Sequence, residues 1–197
     1  MKFIGIILLL LTSIFLIACS ANQASNNTSS PEIKELGKKY GGVYIFNKKF
    51  YDEIGKRERE RSDYMDDFFK NNKRNFKRDD LAIMDKKLPQ TLSNGKRYYL
   101  RSEYAKKVVM PDYVVAKLKN FMGEAAYNRS SIMISDFYID DEKLKVISLD
   151  VNFYEGYTKY GLFGDEGRGF SLSRKDIRNV SSLNRFILIN NKFEKVK

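Results

Sequence analysis

The side chains that could carry out catalysis are scarce in this 197-residue chain. It contains no histidine and a single cysteine, Cys19, so the sequence excludes imidazole-based catalytic triads and the common zinc sites. Ser93 and Lys96 have the S-x-x-K spacing of serine–lysine acyl-transfer enzymes. That chemistry needs both side chains on one helical face, whereas the Asn94-Gly95 pair between them predicts a hairpin turn. We therefore interpret the match as accidental.

Pairs of carboxylates offer a second route to catalysis. Glu155 with Glu166, or Asp136 with Asp150, could act as the acid and the base of a glycan hydrolase. However, Asp and Glu account for 25 residues, so some pairing is expected in any fold. The chain also lacks tryptophan, a frequent sugar-stacking residue, although its 13 tyrosines could replace it. The sequence thus predicts a protein that is not an enzyme and that holds neither cofactor nor metal.

Cys19 has a distinctive context near the start of the chain. It follows Lys2 and an apolar segment that runs from Phe3 to Leu11, resumes at Ile14 and ends in Leu16-Ile17-Ala18-Cys19. A buried core helix and a membrane-spanning anchor are the alternatives, but the segment is shorter than the ~20 apolar residues needed to cross a bilayer. A charge, an apolar stretch and small residues, in that order, are typical of a secretory signal peptide. Residues 1–19 resemble the lipobox signal of bacterial lipoproteins.

This resemblance implies a lipid anchor. It implies that the Cys19 thiolate takes a diacylglyceryl group, that residues 1–18 are removed as a signal peptide, and that two or three acyl chains, such as palmitate, hold the chain on the membrane. Residues 19–31 then form a flexible tether rich in Ser and Asn, spanning on the order of 20 Å. In a Gram-negative cell, Ser20 resembles the pattern of outer-membrane lipoproteins. We expect a lipid-anchored domain in the cell envelope, facing the periplasm or the exterior.

Residues 32–197 are long enough for one globular domain. No second cysteine is available for a disulfide, so the domain must fold on its core alone. Apolar residues make up 43% of the chain and aromatic residues 14%, which is typical of a packed domain. We predict an α+β fold in which an antiparallel sheet with C-terminal hairpins packs against one or two amphipathic helices.

Strand patterns occur at the start and in the second half of this domain. Residues 41–46 form a short apolar segment after a glycine. Residues 132–139 and 144–154 flank a polar turn, and in the latter segment the apolar residues at 147, 149, 151 and 153 alternate with polar ones. That alternation predicts one buried and one solvated face. Residues 185–196 predict a closing hairpin around Asn190-Asn191, and Asn94-Gly95 predicts a type I′ turn.

Helical patterns occupy the middle of the domain. Residues 48–78 favour a helix, although the charged run 55–63 is either a solvated helical turn or a bend between two helices. Asp79-Asp80 predict the cap of a short helix that ends before Pro89. From Pro111 to about Tyr127, apolar residues at 114, 118, 121, 122 and 125 form the clearest amphipathic stripe of the chain, which predicts a core-packing helix.

The chain is strongly basic, with a formal net charge of +11. The excess is greatest in residues 80–120, where nine Lys and Arg accompany four Asp and Glu. One interpretation is a binding face for anionic lipid, polysaccharide or an acidic protein; the other is a Lys- and Asn-rich composition without a function. Nucleic acid is disfavoured, because export removes the chain from it and no recognition motif is present. The candidate binding residues here are Lys96, Arg97, Arg101, Lys106 and Lys107.

The segment 156–170 is rich in glycine and aromatic residues. Its backbone N–H groups could approach an anion, and Asp165-Glu166 could ligate calcium. However, it matches neither a P-loop nor a dinucleotide fingerprint, and the EF-hand spacing is absent. We therefore predict a mobile, aromatic-rich loop that serves as a contact surface, followed by a short helix capped by Ser173 and Asp176. Its candidate binding residues are Tyr157, Tyr160, Phe163 and Arg168.

Three functions are compatible with these patterns. The first is a membrane-anchored, non-catalytic binding domain for a protein partner, such as an incoming effector that an immunity or inhibitor lipoprotein neutralises. The second is a structural envelope lipoprotein whose basic face adheres to anionic lipid or polysaccharide. The third is a glycan or lipid hydrolase that uses carboxylates. We favour the first, with residues 86–119 and 156–170 as its contact surfaces.

Overall fold

The computed structural model describes residues 31–104, 108–165 and 169–196. Residues 1–30, which include Cys19, the signal segment and all of the predicted tether except Pro31, lie outside the described residues, as do the candidate binding residues Lys106, Lys107 and Arg168. The described part of the chain has an α+β fold with an antiparallel sheet and C-terminal hairpins, which confirms the predicted fold class.

The elements alternate between helix and strand at first, and strands make up the C-terminal part. The helices are α1 (Pro31–Tyr40), α2 (Lys48–Asn71), α3 (Arg78–Lys87), α4 (Asp112–Met122) and α5 (Glu124–Arg129). The strands are β1 (Gly42–Ile45), β2 (Tyr98–Leu100), β3 (Ser131–Asp140), β4 (Lys143–Asn152), β5 (Tyr154–Asp165), β6 (Gly169–Asn179), β7 (Asn184–Ile189) and β8 (Lys192–Val196).

Six of these strands form one sheet in the order β2-β3-β4-β1-β7-β8. All neighbours in it are antiparallel except β1 and β7, which are parallel. The short strand β1 is therefore central, between β4 and β7, and a tight hairpin places β3 on the other side of β4. The strands β5 and β6 do not join this sheet and pair only with each other.

The predicted turns are confirmed in two of three cases. The β3–β4 turn has positive φ at Asp141 and Glu142, and the β7–β8 turn has positive φ at Asn190 and Asn191, as type I′ hairpins require. Between Leu92 and Lys96, by contrast, only Gly95 has a positive φ. The Leu92 N–H donates to the Lys96 carbonyl at 2.9 Å, so the loop has three residues and the predicted type I′ geometry is wrong there.

The amphipathic stripe of α4 packs on one face of the sheet. Val114 and Leu118 are fully buried and Met122 is 4% exposed, and they share a core with Tyr44 of β1 and Phe137 of β3. Burial of such side chains contributes roughly 1.5–3 kcal/mol each. This confirms the predicted core-packing role of the helix.

The helix is shorter than predicted. It ends at Gly123, which has a φ of +83°, and α5 then begins at Glu124. The change of direction buries Ala126 rather than the predicted Ala125. A continuous helix to Tyr127 is therefore wrong.

The opposite face of the sheet is covered by α2. This helix continues without a bend through the charged run 55–63, and its Ile54 packs against Leu92, Tyr98 and Ile147. One charge of the run is itself structural, because the guanidinium of Arg61 is buried. It donates to the Leu88 carbonyl at 2.8 Å and to Asp85 at 2.8 Å, and so joins α2 to α3.

Because both faces are covered, the centre of β4 departs from the predicted alternation. Ile147, Ser148 and Leu149 are all buried, and the β3–β4 register shifts near Asp136. Such an irregularity changes which residues face each side, so Leu149 contacts the α4 core while Ile147 contacts the α2 core. The expectation of one wet face is wrong at this point.

None of the helices that the structure describes is long and apolar enough to cross a membrane.

Candidate interaction surface

The ribbon formed by β5 and β6 stands where the sequence predicts a loop and a short helix, and both of those predictions are wrong. The two strands pair from Tyr154–Asn179 at the base to Asp165–Gly169 at the distal end. The register shifts between Tyr160 and Phe163, which increases the local twist. At ~3.3 Å per residue the ribbon is roughly 35 Å long. It is therefore a long, paired element rather than a mobile loop.

An ion-pair cluster anchors the base of the ribbon. The side chain of Glu155 is fully buried, and the Arg178 guanidinium on the opposite strand donates to it. Lys34 of α1 lies 3.6 Å from the second carboxylate oxygen. The same guanidinium lies over the Tyr157 ring, 5.5 Å from its centroid. The base is thus fixed to α1 by a buried carboxylate whose two cationic partners remain partly exposed to water.

The same side of the ribbon continues as a ladder of charged and aromatic side chains. The Tyr157 hydroxyl donates to Asp176 at 3.3 Å, and Arg174 donates to the same carboxylate at 3.2 Å. Arg174 also lies 5.1 Å from the centroid of the Phe163 ring. The backbone N–H of Ile177 and then the Arg174 charge hold the pKa of Asp176 below its ordinary value. These contacts stabilise one side of the ribbon without a hydrophobic core.

The other side of the ribbon is open around Ile177. Because side chains alternate along a strand, Ile177 lies opposite Gly156 on this side, and no side chain covers it: it is 69% exposed. A shallow cleft of about 460 Å³ lies here, bordered by Thr158 and Lys175 as well. A partner's apolar side chain could fill the space that Gly156 leaves open.

Exposed apolar side chains also occur near the distal end, but on the other side of the ribbon, because Phe170 and Leu172 share their face of β6 with Arg174 and not with Ile177. Leu162, Phe170 and Leu172 are 72%, 81% and 76% exposed. The Phe170 ring lies across Gly164, where an added Cβ would come within 2.6 Å of the ring. Scattered single apolar residues are normal on surfaces, but several on one unsupported element mark an interaction site.

The structure brings three of the predicted site residues together on the ribbon, namely Tyr157, Tyr160 and Phe163. Sequence reasoning missed the apolar residues of β6, Phe170, Leu172 and Ile177, because Ser173 and Asp176 were assigned to a helix cap. The alternation of Phe170 and Leu172 with serines was the signal that could have indicated a strand.

The described basic residues of the other predicted surface have partners within the domain. Lys96 is 2.8 Å from Asp140, and this hydrogen bond raises the pKa of Lys96. Arg101 donates to the Tyr104 carbonyl at 2.8 Å. Arg97 lies over the ring of Tyr99, 5.4 Å from its centroid.

The same region does not lie on one side of the sheet. Lys117 and Lys119 belong to α4, where they contact Asn191 and Glu124 at 2.5 and 2.8 Å. The Leu92 hairpin that carries Lys96 packs instead on the α2 core. The sheet separates the two groups, so the sequence interval 86–119 spreads its charge over two surfaces.

One predicted carboxylate pair is assembled on the α2 side of the sheet. Asp136 accepts from Ser148 and Asp150 accepts from Ser135. Burial, followed by the nearby charge of Asp150, raises the pKa of Asp136. Asp136 borders a cleft of about 540 Å³ between α2 and the sheet, with Arg185 on its rim.

The remaining catalytic patterns are not assembled. Glu155 is engaged with Arg178, and Glu166 lies outside the described residues. The Ser93 hydroxyl donates to Glu53 at 2.8 Å, whereas Lys96 pairs with Asp140. Within residues 31–104, 108–165 and 169–196, no three His, Cys, Asp or Glu side chains come together in a way that could hold a metal ion.

No protein-family model, curated protein or solved structure matches this chain. The ribbon, which exposes apolar side chains on both of its sides, is the feature of the described surface that most needs a functional explanation.

Proposed function

We propose that this protein is a membrane-anchored envelope lipoprotein whose domain is a non-catalytic binding module for a protein partner. The observation that carries the proposal is the set of exposed apolar side chains on the β5–β6 ribbon. An isolated two-stranded hairpin is marginally stable in water, and exposing Leu172 and Ile177 on it has no benefit for the monomer. A partner that covers these side chains would remove them from water. An immunity or inhibitor role toward an incoming effector is one form of this function.

A protein partner fits the ribbon better than a membrane does. In the sequence, Asp165 ends β5 and Glu166 follows it directly, and inserting carboxylates into a bilayer is unfavourable. The apolar side chains therefore suit a surface that can also accommodate charges, as protein interfaces do at their rims. The membrane contact in this proposal is the lipid at Cys19.

The anchor has a direct test. Cys19→Ala should leave the domain folded, as judged by circular dichroism, but move it from the membrane to the soluble fraction. Metabolic labelling with a palmitate analogue should be lost at the same time. Continued labelling of the Cys19→Ala protein would contradict the anchor assignment.

The ribbon contact is tested by affinity capture from envelope and secreted fractions at low and high salt. We expect a stoichiometric protein that persists at high salt, because a packed apolar interface is screened little by ions. The double variant Leu172→Ser/Ile177→Ser should lose it. Leu183→Ser is the matched control, since Leu183 is fully exposed outside the ribbon. Equal capture by the double variant and the control would contradict the ribbon assignment.

The structural alternative predicts a different result in the same experiment. A basic face that adheres to lipid or polysaccharide would capture polyanions at low salt and release them at high salt. It receives less support because Lys96 and Lys119 already pair with carboxylates.

A hydrolase is the remaining candidate, and the Asp136–Asp150 pair is the observation that favours it. A carboxyl whose pKa is raised by burial, with a second carboxyl nearby, is an arrangement that acid–base catalysis uses. Turnover of glycan or lipid substrates that disappears in both Asp136→Asn and Asp150→Asn would support a hydrolase over a binding module.

A further inference from the structure

The outer edge of β6 is free to hydrogen-bond to another strand. At the base of the ribbon the Val180 N–H donates to the Phe153 carbonyl at 2.9 Å, which directs the N–H groups of even-numbered residues of β6 toward β5. In an antiparallel pair the N–H groups of alternate residues point in opposite directions. The N–H groups of Ser173, Lys175 and Ile177 therefore point away from the ribbon.

Two of these outward donors use acceptors from their own strand. The Ile177 N–H donates to the side chain of Asp176 at 3.0 Å, and the Ser173 N–H donates to the Ser171 hydroxyl at 3.4 Å. These side-chain oxygens occupy the positions that the carbonyls of an added strand would take. The edge is thus extended and satisfied only by exchangeable local contacts.

The exposure of the β6 side chains is consistent with a strand that has a neighbouring strand on only one of its two edges. Every residue of β6 is exposed except Asp176, which is half-buried. Edge strands in native proteins are normally covered, shortened or kept apart by charge, because an open edge pairs readily with other chains. The outer edge of β6, by contrast, has no neighbouring strand along its 11 residues in the described part of the chain.

Charge indicates what kind of strand the edge accepts. Arg174, Lys175 and Arg178 outnumber Asp176 along β6. The two arginines pair with Asp176 and Glu155 but remain 55% and 43% exposed, and opposite charges on neighbouring strands contribute roughly 0.2–1 kcal/mol per pair. A second copy of this chain would bring like charges together, since each copy carries a net charge of +11. An acidic strand is therefore favoured over self-association.

We propose, on the basis of the binding function proposed above, that an extended segment of the partner protein pairs with the free edge of β6 as a third strand of the ribbon. This segment is composed of alternating apolar and acidic residues. Its carbonyls accept from the outward N–H groups of Ser173, Lys175 and Ile177. Its apolar side chains cover Ile177 on one face, and its carboxylates lie on the other face, near Arg174 and Arg178. This is recognition by strand addition, in which the main chain contributes affinity and the side chains contribute specificity.

The test uses the full-length protein in detergent and a decapeptide of alternating Val and Glu as the probe. Binding is measured by fluorescence anisotropy, and hydrogen exchange reports on β6. We expect slower exchange at Ser173, Lys175 and Ile177 when the peptide is bound, and binding at least about tenfold weaker for a decapeptide of alternating Val and Lys, or about 1.4 kcal/mol. Equal binding of the two peptides, or no binding of the acidic one, would overturn the proposal.

A pair of proline variants separates strand addition from other contacts. Lys175→Pro removes an outward N–H without breaking a bond to β5, and we expect a loss of at least tenfold in affinity. Thr158→Pro is the matched control, because Thr158 faces Lys175 in the register and its N–H points to the opposite edge. Lys175→Ala keeps the N–H and controls for the lost charge. Equal effects of Lys175→Pro and Thr158→Pro would overturn the proposal.

The outcome also separates this inference from the binding function on which it rests. Loss of partner capture in Leu172→Ser/Ile177→Ser with unchanged capture in Lys175→Pro would leave the ribbon as a contact surface but exclude strand addition. A dimer of the protein alone that Lys175→Pro abolishes would show that a second copy occupies the edge, and would overturn the acidic partner.

Discussion

The consecutive hairpins β3–β4 and β5–β6 are similar in length but differ in everything that surrounds them. The first has strands of 10 residues each and the second of 12 and 11. The β3–β4 hairpin has β2 and β1 as neighbours and is covered by helices on both faces. The β5–β6 ribbon has no neighbouring strand and exposes its apolar side chains. Strand pairing alone does not decide whether a hairpin belongs to the core or to the surface. The elements that pack on its faces decide it.

The two hairpins are accordingly stabilised by different forces. Burial of Phe137, Leu149 and Val151 stabilises the β3–β4 hairpin. The ribbon depends on the Glu155 anchor and on a ladder of ion pairs and cation–π contacts, each of which contributes about 1 kcal/mol or less at exposed positions. Local stability varies within proteins, and binding elements are drawn from its lower end. The ribbon therefore combines low intrinsic stability with a large free surface.

The largest difference in stability between the core and the ribbon should appear when one buried and one exposed leucine are substituted. Leu118 is fully buried against the sheet, whereas Leu172 is 76% exposed on the ribbon. Leu118→Ala should lower the free energy of unfolding by about 2–5 kcal/mol, and Leu118→Asp should unfold the domain because it buries a charge. Leu172→Ala should change it by less than about 0.5 kcal/mol. Urea denaturation measures both, and a stable, soluble Leu118→Asp protein would mean that the α4 stripe faces a partner instead of the core.

A pair of glycines extends the comparison to the backbone. Gly42 of β1 has a φ of +139°, and an added Cβ would lie 2.1 Å from the Asn184 carbonyl oxygen of the neighbouring strand. Gly42→Ala should therefore destabilise the domain by about 3 kcal/mol or more, through strain and displacement of β7. At Gly156 on the ribbon, an added Cβ would have no atom within 4 Å. Gly156→Ala should therefore leave the free energy of unfolding unchanged or raise it slightly. Thermal unfolding tests both; a tolerated Gly42→Ala would show that β1 can move away from β7.

The anchor of the ribbon can be weakened without touching the sheet. Glu155→Gln keeps the shape of the side chain but removes its charge from between Arg178 and Lys34, both of which are 43% exposed. We expect a loss of roughly 1–3 kcal/mol, below the value for a fully buried pair because the cations reach water. Hydrogen exchange should accelerate throughout β5 and β6 and remain unchanged in β3 and β4. Asp140→Asn, which breaks the surface pair with Lys96, is the control and should leave the ribbon protected.

The sequence predicted the parts of the fold whose signals are local. Strand β1, the helix α4 and the turns at residues 141–142 and 190–191 each follow from a short pattern, because alternation, amphipathic spacing and left-handed turn residues act within a few positions. The same rules found the contact segment by its aromatic residues but assigned it to a loop. They also missed α1, which begins at Pro31, the last residue of the predicted tether.

The ribbon could not be predicted because its stabilising contacts join distant positions. Tyr157 and Asp176 are 19 residues apart, and Glu155 and Arg178 are 23 apart. Glycines at 156, 161, 164 and 169 weaken the strand signal between them. Likewise, no local pattern indicated that α2 covers the second face of β4, and so the burial of Ser148 was missed.

The smallest effects concern two aspartates, one on each hairpin, whose carboxyl groups respond to pH in opposite directions. Burial and the charge of Asp150 raise the pKa of Asp136 above its ordinary 3.8, whereas hydrogen bonds hold the pKa of Asp176 below 3.8. The native state thus binds more protons at Asp136 and fewer at Asp176 than the unfolded chain does. Asp136 destabilises the fold at neutral pH, and this penalty disappears as the pH falls toward 3.8. Asp176 stabilises it at neutral pH, and that contribution is lost as the pH falls below 3.8.

The melting temperatures of asparagine variants test this difference in pH response. Asp136→Asn should raise the melting temperature at pH 7, since the amide can still accept from Ser148, and the gain should vanish near pH 3.8. Asp176→Asn should lower it slightly at pH 7, with the loss disappearing in stronger acid. Melting curves from pH 3 to pH 8 test both signs. If Asp136→Asn instead destabilised the domain at pH 7, the charge of Asp136 would be satisfied in the native state by a cation, and the cleft beside Arg185 rather than the ribbon would become the first place to look for a ligand.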